Sequence, residues 1–341
     1  MKILLIGGTG VISAAVTKQL AAAGHELTLF NRGNRAAQIP DGARLITGDI
    51  GDEDTAARLL DGLSFDAAAD FIAFEPAHVQ RDYRLLRDKT RQYVFVSSAS
   101  AYQKPPVDPV ITESTPLANP FWQYSRGKIA CEEWLTDRFR SESFPVTIAR
   151  PSHTYDHTGV PLALHGRYGP WQTLLRMRLG KPVIIPGDGS SLWVTTHNSD
   201  FARGFIGLLG NPRAVGQAVH ITSDEILTWT QICEIIAARL GARLNPLYVP
   251  TDLLILAGKK HGYDFEGSLW GDKARSVQFD NGKLKRLVPG FAAATRFDQG
   301  MEESVSYILS HPECQKEDPE FDAFCERVCS AIGAARAVCS A

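Results

Sequence analysis

A doubly wound α/β fold built on a parallel sheet is what this sequence predicts, and three observations carry that prediction. Through the first 150 residues, short apolar or β-branched runs alternate with helical patterns, as strand-helix units do. The run KILLIGGTGVIS sends an apolar strand straight into Gly7, Gly8 and Gly10 and then into a helical pattern. After Arg150 the texture changes: PSHTYDHTGVPLALHGRYGPW is rich in His, Pro, Gly and aromatic residues and has weak helical periodicity, which predicts a loop that carries contacts.

The elements follow in order. Candidate strands are KILLIG, ELTLFN, ARLITGD, DAAADFI, QYVFVSS and FPVTIAR. Between the first two, AAVTKQLAAAGH predicts an amphipathic helix that stops at Gly24, the residue type suited to a left-handed C-cap. Later come a strand at PVIIPG, a helix at SDFARGFIGLLG, a strand at QAVHITS and a helix from TWTQICEIIAARLG. The run DPEFDAFCERVCSAIGAARAV has helical spacing and is expected to dock on the body. The organisation this predicts is a dinucleotide-binding domain over 1–150, a smaller α/β substrate-binding region over 151–310 interleaved with it, and a helical tail over 311–341.

Composition narrows the function classes. Of 341 residues, 44% are apolar and 22% charged, and 36 basic residues nearly balance 38 acidic ones, so no nucleic-acid or anionic membrane surface is advertised. A small-molecule substrate is expected, with a homodimer as the candidate assembly. The six cysteines (Cys131, Cys233, Cys314, Cys325, Cys329, Cys339) form no C-x-x-C pair, and reduced thiols in a cytoplasmic protein are the simplest account. No metal pattern is present. The apolar run before the glycines is too short for a signal or membrane segment.

A strand that runs into Gly7-Gly8-Thr9-Gly10 and then a helix aims bare backbone N–H groups at a helix N-terminus, a geometry that binds phosphate. In this Rossmann-type setting Gly7, Thr9, Gly10, Val11 and Ile12 are expected to contact a nicotinamide dinucleotide, with Ser13 as the third small position. The second strand ends in Asn31-Arg32, followed by Arg35, where a carboxylate for a free ribose 2′-OH is missing. Arg32 and Arg35 suit a 2′-phosphate instead, so NADP is favoured over NAD. Asp49 and Ile50, ending the third strand, are placed for the adenine.

The fifth strand ends in Ser97-Ser98-Ala99-Ser100, and YSRGK puts Tyr124 and Lys128 four residues apart on one helix face. Oxidising an alcohol by hydride transfer needs a base for the hydroxyl proton, and a phenol serves only if its anion is favoured. A lysine ammonium nearby favours it. Ser98 then holds the substrate oxygen, Tyr124 exchanges its proton, and Lys128 tunes Tyr124 while holding the nicotinamide ribose.

With these residues in view, the chain resembles the extended or atypical short-chain dehydrogenase/reductases of the NAD-dependent epimerase/dehydratase group. The resemblance covers about residues 1–310 and rests on GGTGVIS, SSASAY, YSRGK, RPSHTY, GDGSSLW and HNSDFA. It implies that Gly7, Gly10 and Ser13 form the pyrophosphate loop. Ser98 and Tyr124 would be catalytic, Lys128 both catalytic and cofactor-binding, and Pro151 would border the nicotinamide with His153 two residues on. It also implies a C-terminal part that takes a substrate, commonly a nucleotide-linked sugar.

Departures from that pattern shape the expectation. The Asp-Glu pair of the 4,6-dehydratases is Ala99-Ser100 here, so elimination loses its acid and base and ranks below epimerisation or simple oxidoreduction. Trp193 stands where an arginine commonly holds the substrate pyrophosphate; an indole can stack on a sugar but cannot pair with phosphate. Arg167, Arg176 and Arg178 are candidate replacements. The histidines and aromatics after the sixth strand (His153, Tyr155, His157, His165, Tyr168, Trp171) match no metal spacing, and His197 reads as structural, with Ser199 or Asp200 capping the helix that follows.

The expected substrate pocket lies between the nicotinamide edge and the loop from Pro151 to Trp171. Ser98, Ser100, His153 and Trp171 line it, with Trp193 as a stacking wall. The expected activity is an NAD(P)-dependent oxidoreductase or epimerase acting on a hydroxyl of a sugar, glycoside, nucleoside or nucleotide-sugar, with a free sugar, glycoside or nucleoside narrowly ahead of a nucleotide-diphosphate sugar. A dehydratase acting through a transient ketone is the alternative. So is a non-catalytic dinucleotide- or RNA-binding relative of the chloroplast stem-loop-binding kind.

Overall fold

The first strand shows why a parallel sheet forms: in β1 (Lys2–Ile6) every residue after the first is buried, so the strand is covered on both faces, as parallel strands are. The computed structural model describes residues 1–35 and 39–340. Six further strands join β1: β2 (Glu26–Asn31), β3 (Arg44–Thr47), β4 (Ala67–Asp70), β5 (Tyr93–Val96), β6 (Val146–Pro151) and β7 (Ala218–Ile221). All pairings are parallel, and the spatial order is β7-β6-β5-β4-β1-β2-β3. The order reverses at β1, which opens a crevice at the carboxyl ends of β1 and β4.

Helices cover both faces. On one side α1 (Val11–Ala22) brings Val16 and Leu20 against Ile3 and Leu5, where Phe201 and Phe205 join them. On the other, α2 (Glu53–Leu59), α3 (Pro76–Leu86) and α4 (Gln123–Glu142) bring Ala56, Leu86 and Leu135 against Leu4, Ile6 and Phe95.

A second core lies beyond the carboxyl edge of the sheet. It joins Tyr102 and Trp193 to α5 (Trp171–Arg178) and to the helices Trp229–Arg239 and Phe297–Ser310. Short strand pairs knit this part together: His153–Tyr155 runs parallel to Thr195–His197, and Leu192–Trp193 antiparallel to Leu227–Thr228.

Three expectations for this region are corrected. The segment after β6 is largely core: Tyr155, Val160, Leu162, Ala163 and Leu164 are buried, because its apolar residues pack singly between helices and leave no periodic trace. Trp171 is part of that core, 4% exposed. Arg176, 1% exposed, donates from Nη1 to Asp322 at 2.6 Å and Glu326 at 2.8 Å, and from Nε to the Pro182 carbonyl at 3.0 Å. It therefore anchors the helix Pro319–Cys339. Arg167 pairs with Glu320 on the same helix and Arg178 is exposed, so none of these arginines reaches a substrate cavity.

The approach of α4 to the loop after β4 depends on Gly127. A Cβ there would stand 2.6 Å from the Phe74 carbonyl oxygen, a backbone atom with no freedom to yield. Alanine is ordinarily the better helix residue by about 1 kcal/mol, but overpacking costs roughly 1–3 kcal/mol. Gly127→Ala is therefore expected to lower the thermal midpoint. A variant as stable as the parent in calorimetry would show that the contact yields.

Candidate active site

The crevice begins at the glycine loop. Gly8 has φ +91°, and a Cβ on it would lie 2.2 Å from Leu29 Cδ2; only glycine lets the turn sit this close to β2. The Thr17 hydroxyl donates to the Gly8 carbonyl at 2.7 Å, and Ser13 Oγ accepts the Gly10 N–H at 2.9 Å. Ser13 thus does more than keep the helix close, since its hydroxyl ties the loop to the first turn of α1.

A groove of about 840 Å³ extends from this loop across the carboxyl ends of the sheet. Gly7, Thr9, Gly10, Val11, Ile12, Asn31, Arg32, Arg35, Asp49, Ile50, Tyr124, Lys128 and Pro151, named from the sequence as dinucleotide contacts, all line it. Asn31 fixes the turn after β2, its Oδ1 accepting the Gly33 N–H at 2.8 Å. Arg35 donates to the Thr9 carbonyl at 2.8 Å, across the glycine loop. Asp49 accepts the Gly51 N–H at 2.9 Å. A loop that no side chain can fill, at the N-terminus of α1, fits a dinucleotide pyrophosphate.

Sequence reasoning missed the residues that hold the far wall. Asp70, fully buried at the end of β4, accepts the N–H groups of Ile72 at 2.5 Å and Ala73 at 3.0 Å, and an Nη2–H of Arg81 at 3.2 Å. Burial pushes the Asp70 carboxyl well above the usual carboxylate range, with the neighbouring Asp82 adding to the rise. Only a lone aspartate in an apolar run signalled it.

A second, smaller cavity of about 230 Å³ adjoins the groove. Ser98, Ala99, Ser100, Trp122 and Tyr124 line one side, and Ser152, His153 and Trp193 another. Among the described residues Tyr124 alone lines both spaces. Ser98 Oγ accepts the Ser100 N–H at 3.2 Å and lies 2.9 Å from Ser100 Oγ, which in turn accepts the Ser125 hydroxyl at 2.8 Å. Ser125, Ser100 and Ser98 thus form a chain of hydroxyls that ends at the cavity.

The electrostatics differ from expectation. Burial raises the Tyr124 phenol, and the nearby Ser98 hydroxyl only partly opposes the rise. The Lys128 ammonium, 5.8 Å from the centre of the Tyr124 ring, donates to the carbonyls of Ala73 at 2.6 Å and Val96 at 2.7 Å. Burial lowers Lys128 to about 8, so it remains largely charged at neutral pH.

Other assignments move as well. His153 lines the small cavity and is absent from the dinucleotide groove, because its strand carries it past Pro151 to the substrate side. Trp193 lines the cavity, but one indole face stacks on Trp229 at 5.5 Å and its Nε1 is buried without a partner. His197, not Ser199 or Asp200, caps its helix, accepting the Ser199 N–H at Nδ1. Asp200 instead accepts the N–H groups of Ala294 and Thr295. The cavity also holds Lys104, Asp272 and Lys273, none of which the sequence singled out.

A phosphate-cradling loop at a topological switch point, with a Tyr/Lys pair at the far end of the same groove and a serine in the cavity that adjoins it, defines a dinucleotide-dependent enzyme of the extended short-chain dehydrogenase/reductase class. More narrowly, the chain belongs to the NAD dependent epimerase/dehydratase family, which it matches over residues 3–222. It is 28% identical over 292 residues to the 2'-dehydrokanamycin reductase of Streptomyces kanamyceticus, a match covering 85% of this chain and 80% of that one. It is also 28% identical over 255 residues to the chloroplast stem-loop binding protein of 41 kDa b of Arabidopsis thaliana, covering 70% of this chain and 63% of that one. In structure it is similar to the UDP-glucuronic acid 4-epimerase of Bacillus cereus in complex with NAD, with TM-score 0.71, 17% identity, and 91% and 97% of the two chains covered. No helix among the described residues is long and apolar enough to cross a membrane.

The His153 environment makes a stability prediction. Burial lowers its pKa to about 3, with the Lys273 charge lowering it further, while the unfolded value is about 6.5. Below that unfolded value the unfolded chain binds a proton that the folded chain refuses, so stability falls as pH drops from about 6.5 toward 3 and is fully present above 6.5. His153→Gln is expected to flatten the pH dependence of the urea midpoint in that window by up to one proton. An unchanged slope would show that His153 titrates freely in the folded state.

Proposed function

We propose that the chain is an NAD(P)-dependent oxidoreductase or epimerase that acts on a hydroxyl, or the corresponding carbonyl, of a sugar, glycoside, nucleoside or nucleotide-sugar. The observation that carries this is Tyr124, which among the described residues alone lines both the dinucleotide groove and the small cavity. A bound nicotinamide supplies the hydride chemistry. The chain's own residues do the rest. Ser98, at the cavity end of the hydroxyl chain from Ser125, holds the substrate oxygen. Tyr124, half-buried and with its phenol pushed up by desolvation, donates its proton to a carbonyl oxygen in the reductive direction and takes it back in the oxidative one. Lys128 fixes the helix that carries Tyr124 and offers its ammonium to the groove. Kinship with a protein named as a dehydrokanamycin reductase supports a carbohydrate-like substrate.

Elimination is disfavoured because Ala99 and Ser100 stand where a dehydratase needs its carboxyl pair. For the cofactor, NADP is favoured: Asn31 ends β2 with a carboxamide, and exposed Arg32 lines the groove beside it.

Tyr124→Phe is expected to leave dinucleotide binding intact while lowering the hydride-transfer rate by at least roughly 10²-fold, the scale of a lost acid/base group. Stopped-flow absorbance of the reduced nicotinamide measures it, and surviving activity would remove Tyr124 from the chemistry.

Arg32→Ala is expected to weaken NADP more than NAD, by roughly 10-fold, the scale of a hydrogen bond to a charged group. Equal affinity of the parent for both nucleotides in a fluorescence titration would overturn the preference.

A further inference from the structure

We propose that the small cavity recognises an anionic group, a carboxylate or phosphate carried by the reacting sugar itself, through the ammonium groups of Lys104 and Lys273. This rests on the proposed oxidoreductase function of the same site and names its substrate class. Lys104 comes from the loop after Ser98, Lys273 from the helical segment Glu266–Lys273, and the cavity brings them together with Ser98 and Tyr124. Lys104 is 4% exposed. Among the described residues neither ammonium has a hydrogen-bond or ion-pair partner; the one carboxylate that attracts both through space is Asp272.

Lys104 is buried and Lys273 half-buried, and a cation drawn out of water is costly unless an opposite charge completes it. Two lysines face one carboxylate in the lining, with His153 beside them, so the cavity holds one more lysine than carboxylate. Burial lowers both lysines from their ordinary range while Asp272 raises them, the balance that an incoming anion tips further toward the charged form. At about 230 Å³ the space lies below the usual range of about 300–1,000 Å³ for small-molecule pockets. The anion therefore sits on the sugar that meets Tyr124. The same charge opposes a polycationic aminoglycoside.

Calorimetric titration of the full chain saturated with NADPH tests this, with D-glucuronate and D-glucose 6-phosphate as anionic probes, D-glucose as the neutral one and kanamycin as the cationic one. At least one anion is expected to bind roughly 10-fold tighter than glucose, and which of the two is tighter distinguishes carboxylate from phosphate. Lys104→Met and Lys273→Met should each lower the affinity for that anion by roughly 10- to 100-fold and leave glucose and NADPH affinities unchanged. Lys104→Arg and Lys273→Arg should restore part of the loss. Should a methionine variant misfold, salt titration of the parent replaces it: anion binding should weaken with ionic strength and glucose binding should not. Glucose binding as tightly as both anions, anion affinity untouched in the methionine variants, salt-insensitive anion binding, or kanamycin binding tighter than the anions would each overturn the proposal. Tyr124→Phe separates the two levels: it is expected to keep anion binding while losing turnover, so failure of the lysines leaves the reaction standing, and failure of Tyr124 leaves the anion site standing.

Discussion

One buried ammonium group sets the geometry on which both cavities depend. Lys128, 2% exposed, lies over the rings of Phe74 and Phe95 at 4.6 and 4.9 Å and donates to the carbonyls of Ala73 and Val96. Those carbonyls belong to the chain leaving β4 and to the last residue of β5, so one charge pins α4 to two strand ends. The bare Gly127 beside it lets the helix close on Phe74. Tyr124, one turn earlier, is thereby held at the boundary of the groove. A hydrogen bond to a charged group in a water-poor site is stronger than its neutral counterpart. Removing the charge would leave two carbonyls to be satisfied some other way.

Two further buried polar clusters flank that joint. On one side Arg81 bridges Asp70 and Asp82, and Asp82 accepts the Tyr93 hydroxyl at 2.7 Å. On the other, Arg150 pairs with Glu132 at 2.5 Å and lies over the Tyr102 ring at 4.7 Å, while the Tyr102 hydroxyl meets His220 at 3.0 Å. Burying such pairs gives little net stability, because desolvation offsets the attraction. Their consequence is positional: they fix α3, α4, β5, β6 and β7 against one another just beneath the residues that face the groove. Ser97, whose hydroxyl donates to Glu132, is held by the same cluster, which leaves its neighbour Ser98 turned to the cavity.

The sheet and the groove were legible because their signals are local. Each central strand is a short apolar run, the glycine loop is contiguous, and the groove residues fall at strand ends that the same periodicity locates. The cavity was not legible in this way. Lys104 and Lys273 are far apart in sequence and meet only through the packing of the second core, and nothing in GSLWGDK announces a lining segment. Trp171 and Arg176 misled for a related reason. An aromatic in a loop-like stretch and an arginine on a helix resemble ligand contacts, yet the docking of Pro319–Cys339 and the core around Trp229 absorb them. The cap of α6 (Asn198–Leu208) misled more simply, since His197 Nδ1 accepts a backbone N–H as well as a serine or aspartate would.

The separation of the two spaces has a physical consequence for how the site responds to change. Among the described residues groove and cavity share one lining side chain, and Arg32 and Lys104 line different spaces, so the effects of substituting them on free energy should add. Tyr124 is the exception. Its phenol stands in the wall of both, and its protonation responds to Ser98 on one side and to burial from both. Any ligand that excludes water from either space alters that burial, and desolvation raises the phenol further. On the proposed reading, filling the cavity favours the protonated phenol, and an anion that offsets the positive charge of Lys104 and Lys273 acts in the same direction. Cofactor and substrate, on that reading, are held by separate sets of side chains, and Tyr124 is where the two sets meet.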